Sequence, residues 1–356
     1  MKGVSSMYIL IGGKRILVAV VALILVVTAL IGGLSYSEKL KPTSASPSEK
    51  NEDKKEIIKW VDFKVTYEAL DYAIKLDIKY HESERPVSFI ELLAYTTAKN
   101  GNNFSRFKTS RLDAIIDKLN SGETMAQLSE GLKYYDYYLE AYTAILSGIV
   151  GEYEIEVDDE LSETGKRWER KYGIKAFSPF AKGFYYRHYD DFGAGRSYGF
   201  NRKHLGHDMI GSVGTPIIAV EGGIIEQMGW NQYGGWRIGI RSKDKKRYYY
   251  YAHLRKNFPY NKDLKVGSVV QAGDVIGYLG RTGYSIKENV NNINVAHLHI
   301  GLQLIFDESQ KECYSEIWID VYPIMQLLYR NKSAVVKNEQ TKEYRRIYEF
   351  REIIED

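Results

Sequence analysis

The sequence predicts an α+β protein: an N-terminal transmembrane helix, a small helical domain, and then an all-antiparallel β domain. Three observations carry this. Ile16 to Leu34 is uncharged and almost wholly apolar. Between residues 57 and 150, apolar side chains recur at helical spacing. From about residue 199 onward, short alternating runs are broken by glycine turns. The 356 residues suffice for two folded units with their own cores. The net charge of +3 is near balance and excludes nucleic acid as the expected partner. The single Cys313 excludes an internal disulfide.

The N-terminal segment 1–15 is short and ends in Lys14 and Arg15. The run 16–34 would span roughly 28 Å as a helix, close to the hydrocarbon thickness of a bilayer. Positive charge before it places the N-terminus in the cytoplasm. No small-x-small cleavage site follows Leu34, so a retained single-pass anchor is expected rather than a removed signal peptide. Residues 35–56 are polar, with Pro42, Pro47 and several serines, and read as a flexible linker.

Residues 57–153 form the expected helical domain. Val65, Ala69, Tyr72, Ala73, Leu76 and Tyr80 share one face of a first helix. Ser88 with Glu91 has capping-box form and starts a second. Ser110 caps a third, with Gly122 just past its end. A fourth begins near Met125, and a fifth runs from Tyr134 to Ile149. This domain is either a structural spacer or a module that binds a protein partner. The segment Leu92 to Phe104 faintly resembles the acid-bearing helix end of lytic transglycosylases. It has Lys99-Asn100 where their Glu-Ser stands, so no glycosidase activity is expected.

Residues 154–198 read as a connecting segment and 199–330 as the β domain. Its candidate strands are Ile217–Val220, Ile224–Met228, Arg237–Arg241, Tyr248–Leu254, Val275–Leu279 and Ala296–Phe306. Trp318 to Tyr329 reads as a final strand and helix. Residues 331–356 are a charged C-terminal tail, expected to be helical and mobile.

The chemistry centres on His204-Leu205-Gly206-His207-Asp208. An imidazole and a carboxylate four positions apart lie on one face in either a helix or a strand. They supply two thirds of a catalytic zinc shell, which takes three protein ligands and leaves one position open. His207 falls on the opposite strand face. Five of the 7 histidines lie in three places: this stretch, Tyr251-Ala252-His253-Leu254, and His297-Leu298-His299. By alternation, His297, His299, Gly301 and Gln303 share one strand face. Tyr249, Tyr251 and His253 share another.

The ordered set His-x-Gly-x-Asp, Tyr-Ala-His-Leu and His-Leu-His resembles the lysostaphin/LytM-type zinc endopeptidases of bacterial cell walls. The likeness runs from about Gly199 to Asp307. It includes Gly214-Thr215-Pro216, Gln271-Ala272-Gly273-Asp274 and Gly280-x-Thr282-Gly283. The resemblance implies a two-sheet antiparallel LytM-like domain with a narrow groove over Zn2+. The metal would be held by His204, Asp208 and His299, with His253 and His297 as catalytic imidazoles. Tyr233 would line the groove, and the loop Tyr284 to Val295, with Asn289 and Asn291, would form its rim. Ile300-Gly301 stands where many members carry Phe-Glu. No His-Glu-x-x-His motif is present, so the thermolysin arrangement is excluded. The implied substrate is peptidoglycan peptide, in cross-bridge or stem, and the implied location is the outer side of the cell membrane. The rival reading is a non-catalytic, membrane-anchored scaffold or activator in cell division or sporulation.

Overall fold

The computed structural model describes residues 57–353. The expected transmembrane helix 16–34 and the linker 35–56 lie outside the described residues, and no described helix is long and apolar enough to cross a membrane. Residues 57–356 form one unit. Helices and sheet share a single hydrophobic core that contains Leu70, Leu92 and Ile145 together with Tyr249, Leu298 and Ile300.

Six α-helices are described. α1 (Tyr67–Tyr80) begins where Thr66 accepts a hydrogen bond from the Ala69 amide, and it buries Ala69, Leu70, Ala73 and Ile74. α2 (Phe89–Asn100) is capped by Ser88 and stopped by Gly101, whose φ of 62° suits glycine. α3 (Ser110–Asn120) contains Ser110 as its first residue; Thr109, not Ser110, holds the cap position. α4 (Met125–Ser129) starts with a complete Thr124–Gln127 capping box. α5 (Tyr135–Leu146) packs on α2, and α6 (Tyr322–Leu328) closes the core near α1.

The β structure is antiparallel in every named pairing. The main sheet contains β3 (Tyr186–Tyr189), β6 (His207–Gly211), β8 (Gly223–Asn231), β9 (Gly235–Ser242), β10 (Arg247–Ala252), β11 (Val269–Val270), β13 (His297–Leu304) and β14 (Ile317–Ile319). Its order is β11-β8-β9-β10-β13-β6-β3, with β14 also on β13. A small pair, β7 (Pro216–Ile218) with β12 (Val275–Tyr278), packs on the buried face, where the Tyr251 hydroxyl accepts from the Val220 amide at 2.9 Å. Alternation explains the two faces. Leu298, Ile300, Leu302 and Leu304 are buried in the core, while His299 and Gln303 point to the other side.

Two regions differ from expectation. The connecting segment holds a long hairpin, β1 (Val150–Asp158) and β2 (Lys166–Ile174), followed by β3 and by a second hairpin, β4 (Gly195–Tyr198) with β5 (Phe200–Lys203). The tail is not helical: it forms β15 (Val335–Lys337), β16 (Tyr344–Arg346) and β17 (Phe350–Glu352), and β17 pairs with β1. The density of charge misleads the reading, because it occupies one face only: cross-strand ion pairs line that face, while Tyr153, Ile155 and Phe350 pack on the other. Lys166 meets Glu156 at 2.9 Å, and Glu152 and Glu154 pair with Arg170 and Arg351.

One buried ion pair ties the helices to the sheet. Arg247 on β10 grips the Glu221 carboxylate with two hydrogen bonds, 2.8 and 2.9 Å long. It also donates to the Ala144 carbonyl at the end of α5 and to the Ser147 hydroxyl, both at 2.8 Å.

Candidate active site

Strand register assembles the site. Asp208 on β6 and His299 on β13 are directly opposite partners, and Ala252 on β10 faces His299 from the other side. His204 sits in the turn between β5 and β6. His204 Nε2, Asp208 Oδ1 and His299 Nδ1 converge, with separations of 3.1, 2.9 and 3.1 Å. Two ring nitrogens and a carboxylate oxygen thus direct lone pairs at one point, an arrangement that a cation relieves. Tetrahedral zinc with bonds near 2.0–2.1 Å has ligand atoms about 3.4 Å apart. The observed triangle is a few tenths of an ångström tighter, so the donor set fits that ion.

Gly206 makes room for this. A Cβ there would stand 2.5 Å from His299 Nε2 and 2.8 Å from the Ile300 carbonyl oxygen. Gly206→Ala is therefore expected to push the imidazole out of the triangle and to cost about 1–3 kcal/mol of stability. A thermal melt alongside a zinc titration checks both effects; unaltered metal affinity would refute the steric argument.

His253 and His297 stand beside the triangle. Their rings are 4.7 Å apart, centroid to centroid, and the His253 ring is 5.9 Å from that of His299. His253 Nδ1 donates to the Thr282 carbonyl at 2.9 Å, and His297 Nδ1 donates to the Val295 carbonyl at 2.8 Å. A carbonyl can only accept, so each Nδ1 carries the proton and each Nε2 is left free. The His297 Nε2 lies 3.7 Å from Asp208 Oδ2.

His253 reaches the site by a route that alternation did not foresee. Tyr249 and Tyr251 are buried in the core, whereas Tyr250 and Ala252 line the cleft. Strict alternation would send His253 into the core with Tyr249 and Tyr251. Its φ of 62° breaks the strand after Ala252 and returns its ring to the cleft face.

Electrostatics follow burial and neighbours. Burial lowers the His253 imidazole well below its ordinary value, and the adjacent His297 and His299 add to this. Burial likewise lowers His299, against the pull of Asp208. At His204 burial acts downward too, but Asp208 and Asp191 outweigh it and raise the imidazole. Burial would raise Asp208, yet bonds from His204 and His299 hold its carboxyl far below the usual carboxylate range.

Two site residues escaped the sequence reading. Asp191, just past β3, places Oδ1 2.7 Å from His204 Nδ1, an ion-pair distance without aligned hydrogen-bond geometry. Arg196 on β4 joins Asp191 and reaches Asp208 Oδ2 at 3.3 Å. Only the pairing of β3 with β6, which sets Tyr189 against Asp208, brings Asp191 near. No spacing rule links a residue before one hairpin to a ligand beyond it.

Other predicted residues fall around the cleft. Tyr233 lines it, in edge contact with Tyr198 and Phe200 of the β4–β5 hairpin. Asn289 and Asn291 are not among the lining residues. Asn289 instead accepts from Trp236 Nε1 and the Asn257 amide, both at 2.9 Å, so its side chain holds the loop. His207 is turned to the far face, where its Nε2 lies 2.8 Å from His188 Nδ1, and burial pushes its imidazole down to about 3. The cleft itself encloses about 640 Å³.

Residues 202–311, the span that holds His204, Asp208, His253, His297 and His299, match the model of Peptidase family M23. This region is a peptidase M23 domain. It is 37% identical over 117 residues to the L-Ala–D-Glu endopeptidase of Bacillus subtilis (strain 168), covering 33% of this chain and 34% of that one. It is 43% identical over 89 residues to lysostaphin of Staphylococcus simulans, covering 25% and 17% respectively. The solved catalytic domain of lysostaphin from Staphylococcus simulans shares 33% identity at a TM-score of 0.31, covering 40% of this chain and 92% of that domain. The chain thus spans about a third or less of the length of the curated relatives it matches.

Proposed function

We propose that this protein is a zinc-dependent endopeptidase that hydrolyses peptide bonds of peptidoglycan, in the cross-bridge or the stem. We further propose that residues 16–34 anchor it in the cell membrane with residues 57–356 on the outer side. The observation that carries the catalytic reading is the convergence of His204, Asp208 and His299 beside two imidazoles with free Nε2 atoms. The printed names of two relatives, L-Ala–D-Glu endopeptidase and the glycyl-glycine endopeptidase ALE-1 of Staphylococcus capitis, agree with an endopeptidase reading.

Zinc held by those three residues would lower the pKa of water and polarise the scissile carbonyl. The chain supplies the rest. A water attacking the carbonyl carbon passes its proton to one free Nε2 of the His253–His297 pair. The other Nε2, when protonated, donates a hydrogen bond to the oxyanion that develops. The proton is then returned to the leaving amine, so the cycle balances. Asp191 holds His204 so that Nε2, not Nδ1, faces the ligand position. The buried β10–β13 face keeps this constellation rigid.

The purified protein is expected to clear a peptidoglycan gel, and a chelator is expected to abolish clearing until zinc is restored. Stoichiometric zinc without clearing would instead favour the non-catalytic scaffold.

A further inference from the structure

Two half-buried arginines in the cleft lack the carboxylate partner that other arginines of the core and cleft have. Arg247 is paired with Glu221, Arg346 with Asp274, and Arg196 with Asp191 and Asp208. Among the described residues, Arg202 and Arg237 meet no carboxylate within ion-pair distance, although both line the cleft. Arg202 Nη1 and Arg237 Nε are buried and have no hydrogen-bond acceptor. A buried donor on a permanent cation is costly unless something pairs with it.

Their settings resemble receptors. The Arg202 guanidinium lies 4.8 Å from the Tyr233 ring centroid and 5.3 Å from that of Tyr284. With aromatic rings against its faces, a carboxylate would approach the guanidinium by its N–H edge. Arg237 is 6.0 Å from the Tyr250 ring, which in turn is 5.9 Å from the His299 ring. It donates one Nη1 to Gln227, a neutral partner that leaves its charge unbalanced. Among the described residues, Glu312 and Glu316 also line the cleft but form no ion pair with either arginine, and Glu316 accepts from Trp318 at 2.8 Å. One cation is two residues from His204 and the other is one ring removed from His299.

We propose that Arg202 and Arg237 form a carboxylate receptor flanking the scissile position, so that the preferred substrate is an acidic peptide. A planar, bidentate guanidinium edge matches a carboxylate, and a glycine chain offers none between its termini. The inference rests on the reading of the cleft as a peptidase site and deepens it by naming the substrate class: stem peptide bearing a free carboxylate, in preference to a neutral cross-bridge.

The test compares L-Ala–γ-D-Glu–L-Lys–D-Ala with the same peptide amidated at the glutamate α-carboxylate. Affinities are measured by calorimetry on zinc-loaded His297→Ala protein, where turnover does not interfere, and kcat/KM is measured on the unsubstituted protein. The carboxylate form is expected to bind about tenfold tighter or more. In Arg202→Gln or Arg237→Gln that preference should shrink towards one, with the loss in KM rather than kcat, while Arg202→Lys keeps part of it. Circular dichroism verifies folding of each variant, and the comparison of the two peptides needs no variant at all. Equal affinity for both peptides, or tighter binding of the amide or of pentaglycine, overturns the proposal. If neither peptide is cleaved, the peptidase reading fails, while the affinity ratio still decides this one.

Discussion

His204→Ala is expected to empty the metal position and to reduce peptidoglycan hydrolysis by about a thousandfold or more. The reason is geometric. His204 Nε2 is one corner of a three-atom set with no spare donor: Asp208 and His299 supply the other two. His253 and His297 have their Nδ1 atoms committed to backbone carbonyls and stand beside the triangle rather than in it. His207, one strand position before Asp208, faces the opposite side and cannot step in. Removing His204 also takes from Asp191 its imidazole neighbour and leaves it paired with Arg196 alone. Metal analysis after dialysis and a gel-clearing assay read the two effects. Full zinc content in the variant would mean that the ligand set lies elsewhere.

Arg247→Ala is expected to lower stability by about 3–5 kcal/mol, because it leaves the Glu221 carboxylate buried without its cation. Both side chains are nearly inaccessible, at 3% and 6% exposure. The same substitution unsatisfies the Ala144 carbonyl at the end of α5, so the helices should loosen from the sheet. Gly148 sharpens the effect. A Cβ there would meet the Glu221 carboxylate at 2.4 Å, so that carboxylate is seated directly on the glycine backbone. The double variant Arg247→Met, Glu221→Leu removes both charges and should recover most of the loss. Urea midpoints at constant m-value measure this. A loss under 1 kcal/mol for the single variant would show that the pair contributes little.

The sequence reading reached the chemistry further than the frame around it. Asp208, His297 and His299 lie on short strands whose alternation is visible, because one face is apolar and the other is not, and His204 lies in the turn just before β6. Their pairing partners could only be supplied by register, which depends on turns distant in sequence. His253 was placed on a strand face by parity, and its positive φ was not visible in the residue type. On β1 an apolar face of Tyr153 and Ile155, packed on Phe350 of β17, alternates with Glu152, Glu154 and Glu156, and the density of charge hid that alternation. Asp191 and Arg196 are ordinary charged residues until β3 is laid beside β6.

The pairing of β17 with β1 bears on when the molecule can mature. Glu154 and Arg351 are 197 positions apart, yet they close the same three-stranded sheet. During synthesis β1 emerges early, and one of its edges waits, bare, while the whole metal-binding region is still being made. Contacts of such range form late and slowly. A nascent chain therefore gains its finished three-stranded platform only once Phe350 has been made, after the whole of residues 202–311.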